Sequence, residues 1–304
     1  MNKPTAEELK LLLKEQELKL KAAAQDNFLN FVRVMWPEFV KGPHHLKTAA
    51  KLQDLADGKI KRLIVNMPPR HTKSEFASFL FPAFMMGANP KLKIIQTTHT
   101  AELAYRFGRK VRNLMGTGEF QNVFEDVALS ADSKAAGRWE TNHGGEYFAA
   151  GVGGAITGRG ADLLIIDDPH SEQDALSETA MDNAYEWYTS GPRQRLQPGG
   201  RILIVMTRWS TKDLTGHLMR AQSEPKADQW EVIEFPAILP NNKPIWPQYW
   251  KLSELESVKA SLSEQKWQAQ WQQQPTSEEG SIIKRDWWQV WTKDKLPDLV
   301  HVIQ

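Results

Sequence analysis

Over the first sixty residues, apolar and polar positions repeat at helical spacing. Residues 5–24 mix Glu, Lys, Leu and Ala, with Glu7/Lys10 and Glu15/Lys19 placed to share a helical face, which predicts a mostly exposed helix. A denser apolar run of Phe28, Phe31, Val32, Val34, Met35 and Trp36 is closed by Pro37. Gly42-Pro43-His44-His45 then opens another helix through Leu55 to Gly58. From there the pattern alternates between short apolar runs and longer helical stretches. Strands are predicted at 62–66, 92–98, 161–166 and 201–206, with helices at 73–86, 101–115 and 175–188. Strands apolar on both faces and separated by helices predict an α/β fold, a mostly parallel central sheet with helices on both faces.

After Trp230 to Phe235 the texture changes: Pro236, Pro240, Pro244 and Pro247 punctuate a loop, and a polar helical segment spans 253–274. The expected organisation is a core over 1–235, carrying an N-terminal helical extension, and a small lid or linker over 236–304. Ile283, Trp287, Trp288, Val290 and Trp291 crowd together in the latter, as residues do that pack against something. No internal repeat is present.

Composition narrows the chemistry. The 38 basic and 37 acidic residues nearly cancel, to +1 over 304 residues, so any contact with nucleic acid must come from a local patch. The helix over 101–115 carries one candidate, with Arg106, Arg109, Lys110 and Arg112. No apolar stretch approaches the roughly 18 residues of a membrane span, and Met1 to Glu8 lacks a signal-peptide core, which predicts a cytoplasmic protein. With no cysteine, disulfides and thiolate metal sites are excluded.

Two segments carry candidate chemistry. Met67-Pro68-Pro69-Arg70-His71-Thr72-Lys73-Ser74 follows a strand and enters a helix, the arrangement that turns loop amides and a helix N-terminus toward a polyphosphate. In that reading Lys73 reaches the terminal phosphates and the Ser74 hydroxyl ligates magnesium. The segment departs from G-x-x-x-x-G-K-[ST], because Met67 and Thr72 replace both glycines and the two prolines remove amide donors. The cradle must therefore use amides from about Arg70 onward, with Arg70 adding a cationic fork. The second segment, 163–168, ends a buried strand in Asp167 and Asp168, where ligands bind in open α/β sheets. One carboxylate can hold a metal ion while the next orients the attacking water. An ordinary strand-to-helix turn for the first segment and helix capping for the second remain open readings at this level.

Together these segments resemble the ATPase half of tailed-phage terminase large subunits, the motors that package DNA. The resemblance covers Trp36-Pro37, His44-His45, 66–75, 151–162, 163–169, Met206-Thr207-Arg208-Trp209, and Phe235-Pro236-Ala237 through Gln272-Gln273-Gln274-Pro275, in order along most of the chain. It implies a P-loop NTPase fold of the RecA-like, additional-strand type. It also implies binding of ATP and Mg2+ through Arg70, His71, Thr72, Lys73, Ser74, Glu75 and Asp167, with Ser74 and Asp167 on the metal. Asp168 takes the place of a catalytic acid that is Glu in many relatives. Arg159 falls where the family carries an arginine directed at a neighbouring subunit's nucleotide, although a local salt bridge with Asp162 is the alternative. Thr207 falls on the segment coupling hydrolysis to motion, and His44, His45 or Gln53 on adenine recognition. Glu75, just inside the helix, also favours the helix dipole.

The resemblance further implies double-stranded DNA, a portal protein and a terminase small subunit as partners, a homo-oligomeric ring on the procapsid, and the host cytoplasm as location. Leu299 to Gln304 resembles the start of the family's nuclease strand, but no metal-binding Asp follows, so ATPase activity without nuclease activity is expected. A helicase-type translocase and a nucleotide-independent docking protein with a degenerate loop are the competing functions.

Overall fold

The computed structural model describes residues 6–132 and 135–276. Seven strands form one sheet: β1 (Arg62–Asn66), β2 (Lys93–Thr98), β3 (Arg138–Glu140), β4 (Glu146–Gly151), β5 (Ala161–Asp167), β6 (Leu196–Met206) and β7 (Glu231–Glu234). Their spatial order is β3-β4-β2-β5-β6-β1-β7, and every pairing is parallel except β3 with β4. Each central strand alternates its side chains between two apolar layers. Leu63, Val65, Leu163, Ile165, Leu203 and Val205 face one layer, while Ile64, Leu164, Ile166, Ile202, Ile204 and Met206 face the other. That two-sided burial is why these strands read as continuous apolar runs.

The first layer is closed by α1 (Ala6–Asp26), α2 (Phe28–Met35), α3 (Pro43–Ala56), α4 (Phe81–Ala88), α5 (Ala101–Met115) and α6 (Gly118–Val123). The second layer is closed by α7 (Glu178–Ser190) and α8 (Leu214–Ala221). The fold class is the expected one. A strand, β6, stands between β1 and β5, so the loop after β1 and the acidic end of β5 both open at the carboxyl edge with β6 between them. In α5 the expected boundaries hold: Thr100 caps the first turn by accepting from the Leu103 amide, and Ala104, Phe107, Val111 and Met115 share the buried face.

Several expectations are corrected. The helix predicted from 175 begins at Glu178, because Ser177 caps it after a 3-10 turn at Asp174–Leu176. The helix after Lys73 is not uniform but passes through a π turn at Glu75–Leu80 before α4. The polar helix predicted over 253–274 is broken into α9 (Leu252–Ala260), α10 (Glu264–Lys266) and a π turn at Trp267–Trp271, since Ser263 caps a new start by accepting from the Lys266 amide. The sequence pattern does not predict β3, β4, β7, α6 or α8. Past Phe235, Ala237, Leu255, Trp267 and Trp271 form a small apolar cluster of their own, whereas Ile245 and Trp246 join the main core. The Trp287 cluster and the strand expected at 299–304 lie outside the described residues.

Candidate active site

β1 runs straight into the loop, and the Met67 amide adds one more bond to Met206 O on β6. Arg70 and Thr72 then adopt left-handed φ of 60° and 69°, with His71 between them on the ordinary side. Residues of alternating handedness turn successive amides toward one concavity, the backbone shape that suits an anion. Thr72 stands where the P-loop motif has its second glycine, so the left-handed turn is kept although the residue suited to it is not.

Directly beyond the loop, Lys73 is buried, with its ammonium 3.0 Å from Thr207 Oγ1 and 2.9 Å from Asp168 Oδ2. The Ser74 hydroxyl donates to Asp167 Oδ1 at 3.0 Å, and the Ser78 hydroxyl donates to Asp167 Oδ2 at 2.7 Å. Thr207, just past β6, donates its amide to Asp168 Oδ1 at 2.8 Å and its hydroxyl to Met67 O at 3.3 Å. Asp168 itself is left-handed at φ 42° and is held by its amide's bond to Val205 O. Three segments distant in sequence thus meet at one point: the loop with the start of its helix, the end of β5 and the end of β6.

The two carboxylates differ in environment. Burial, reinforced by the Asp168 charge, pushes the Asp167 carboxyl well above the usual carboxylate range, while Lys73 and the two serine hydroxyls act in the opposite direction. Ser74 and Asp167 present adjacent hard oxygen donors, the type magnesium selects. Among the described residues no cluster of three or more His, Cys, Asp or Glu could hold a metal alone.

The other predicted residues fall in four places. Arg70 is exposed on the loop, and Glu75 is ion-paired with Lys110 of α5 at 2.6 Å. His44, His45 and His71 are buried in an aromatic cluster against the loop, with His71 stacked on Trp250 and donating from Nδ1 to Pro69 O at 2.8 Å. Gln53 accepts from the Phe28 amide and donates to Asp26 O and Asp57, tying α2 to α3. Arg159 lies at the opposite edge of the sheet, near the amino ends of β2 and β4. It sits 3.8 Å from Glu146 and covers the Phe148 ring. The alternative pairing with Asp162 is not formed; Asp162 Oδ2 instead accepts from the Lys93 amide.

Sequence reasoning missed Ser78, although it stands four residues after Ser74 and so on the same helical face. It also missed the support beneath Thr207. The Arg208 guanidinium bonds both oxygens of fully buried Asp213 and reaches Glu234, while the Arg208 amide donates to Gln273.

No protein-family model and no curated protein sequence matches the chain. Among solved structures it is similar to the large terminase of bacteriophage HK97, at 12% identity and a TM-score of 0.48 over 73% of this chain and 49% of that one. The large terminase of a thermophilic bacteriophage, in complex with ATP-gamma-S, is similar at 10% identity and TM-score 0.47, over 75% of this chain and 51% of that one. The Thermus phage P74-26 large terminase ATPase domain is similar at 14% identity and TM-score 0.43, over 70% of this chain and 88% of that one. The chain thus spans about half the length of the first two of these proteins.

Proposed function

We propose that the chain is an ATP-hydrolysing motor that drives double-stranded DNA into a viral procapsid, a terminase large-subunit ATPase. One observation carries the reading: Lys73 and Ser74 of the loop meet Asp168 and Asp167 of β5, with Thr207 of the intervening strand bonded to both Lys73 and Asp168. A capping turn or a strand-to-helix connection alone would not require the loop, the end of β5 and the end of β6 to converge on one cation and two carboxylates.

In this reading the loop amides from Arg70 onward and the Lys73 ammonium hold the polyphosphate. Ser74 and Asp167 hold magnesium, which when bound neutralises charge on the phosphate oxygens. A polyphosphate competes with Asp168 for the Lys73 ammonium, and Asp168, once released, orients and deprotonates the attacking water. Thr207 senses that exchange because it bonds both partners, which suits a coupling residue. His71, Thr72 and Glu75 shape the loop and its helix. Arg159, which within its own chain meets Glu146 and the Phe148 ring, acts in this reading on a neighbouring subunit in a ring. Double-stranded DNA is held through its phosphates without base readout, with portal protein and small subunit as assembly partners in the host cytoplasm. Among the described residues no helix is long and apolar enough to cross a membrane.

Phosphate release from ATP by the wild-type chain, compared with Lys73→Ala, tests the catalytic core of this reading. Equal release from both would sink it in favour of a docking protein with a degenerate loop. Strand displacement on a forked duplex would favour a helicase-type translocase.

A further inference from the structure

We propose that His45 is a positioning residue that holds the Thr72 turn in its anion-binding form, replacing by a side-chain hydrogen bond what a glycine would supply by conformational freedom. The inference rests on the phosphate-site reading of the loop.

Thr72 is β-branched and left-handed, a combination that ordinarily costs about 1–2 kcal/mol and persists only where surroundings enforce it. The enforcement is visible. His45 Nδ1 accepts from the Gly42 amide at 2.8 Å, so the neutral ring carries its proton on Nε2. That Nε2 lies 2.7 Å from Thr72 Oγ1, and the hydroxyl's own proton goes to His71 O at 2.6 Å. Each atom therefore has one consistent role: the amide fixes the tautomer, the ring donates to the hydroxyl, and the hydroxyl donates to the backbone.

The ring itself cannot swing away. It is stacked on Phe76 and meets Phe39 and Trp246 edge to face. Its burial holds it far below the usual imidazole range, so the donating tautomer persists at neutral pH. His45 is also the third residue of α3 and completes that helix's cap through Gly42, so the same ring that starts the helix sets the loop. This accounts for a loop that lacks the second motif glycine, and it gives His45 a duty other than adenine recognition.

The test is the Kd for Mg-ATP, measured by titration calorimetry on the full chain. His45→Phe keeps the ring but loses the donor, and Thr72→Val keeps the β-branch but loses the hydroxyl. Each is expected to weaken binding about tenfold, the factor that strain of this size corresponds to. His45→Gln, whose amide nitrogen occupies the Nε2 position, is expected to recover most of the affinity. In a Thr72→Gly background, where a left-handed turn needs no support, His45→Phe is expected to change Kd less than about twofold. Tight binding by Thr72→Val, or an undiminished effect of His45→Phe on the glycine background, overturns the proposal and assigns His45 to packing alone. Failure of the wild type to bind Mg-ATP overturns the phosphate-site reading as well, whereas wild-type binding with all variants equal overturns only the role of His45.

Discussion

The Lys73 ammonium lies 2.9 Å from Asp168, joining the residue directly beyond the loop after β1 to one just past β5, and Thr207 bonds both. In the proposed mechanism this cation and carboxylate exchange partners when a polyphosphate arrives. Asp168→Asn removes the competitor for Lys73 and also the proposed base. It is expected to leave the Kd for Mg-ATP within about tenfold while turnover falls by roughly 10²–10⁴. Lys73→Ala should lose both. Calorimetric binding and phosphate release on the two variants check this, and normal turnover by Asp168→Asn would remove Asp168 from the chemistry.

Ser78 offers a separate test, because it touches Asp167 and not the loop. Its hydroxyl donates 2.7 Å to a carboxylate that is completely buried. Ser78→Ala leaves one carboxylate oxygen short of a donor, at a cost of about 1–3 kcal/mol. It also deprives Asp167 of an interaction that favours its charged form. The denaturant midpoint should fall accordingly, and the magnesium concentration needed for half-maximal ATP binding should rise. An unchanged midpoint would mean that water replaces the hydroxyl.

The contrast between residues that are legible in the sequence and those that are not follows from how far their information reaches. β1, β5 and β6 announce themselves because both faces are buried, and α5 because its cap and apolar stripe are local. β4 escapes notice: Ala149, Ala150 and Gly151 lack the branched side chains that mark a strand, and the pairing with β2 supplies what propensity does not. Lys73, Ser74, Asp167 and Asp168 are readable because their spacing to strand ends is local. Ser78 and the Arg208 support are not, since their partners lie 89 positions away in one case and, for Gln273, 65 in the other. The histidine pair is visible as residues, but only the fold brings His45 against Thr72.

Arg208 anchors the segment directly after Thr207. Its Nε bonds both oxygens of Asp213, which is fully buried and also accepts from the Trp209 and Gly216 amides. Removing one partner of a buried pair leaves the other charge uncompensated, so Arg208→Ala is expected to cost about 3–5 kcal/mol in urea unfolding. Arg208→Lys should recover only part of this, because an ammonium cannot fork between Asp213 and Glu234 as the guanidinium does. Full recovery by lysine would show that charge alone, without the planar geometry, holds the segment.

The histidines beneath the loop predict an acid-sensitive fold. Burial is the first cause in each case, lowering His44 to about 3, His45 to about 2 and His71 to about 4, and it lowers His170 as well. An unfolded histidine titrates near 6.5, so below that pH the unfolded chain binds protons that the folded chain refuses. Stability contributed by these groups is therefore complete above about 6.5 and is lost as pH falls toward the folded values, by about 1.4 kcal/mol per pH unit for each fully engaged histidine. Asp167 acts with the opposite sign: its raised folded value means that it releases a proton on unfolding over the same range, offsetting one histidine. The urea midpoint should accordingly drop between pH 7 and pH 5 with a net uptake of several protons. His45→Gln, which no longer titrates, should shallow that slope by about one proton. A midpoint that stays flat or rises on acidification would show that the imidazoles are not held neutral in the fold.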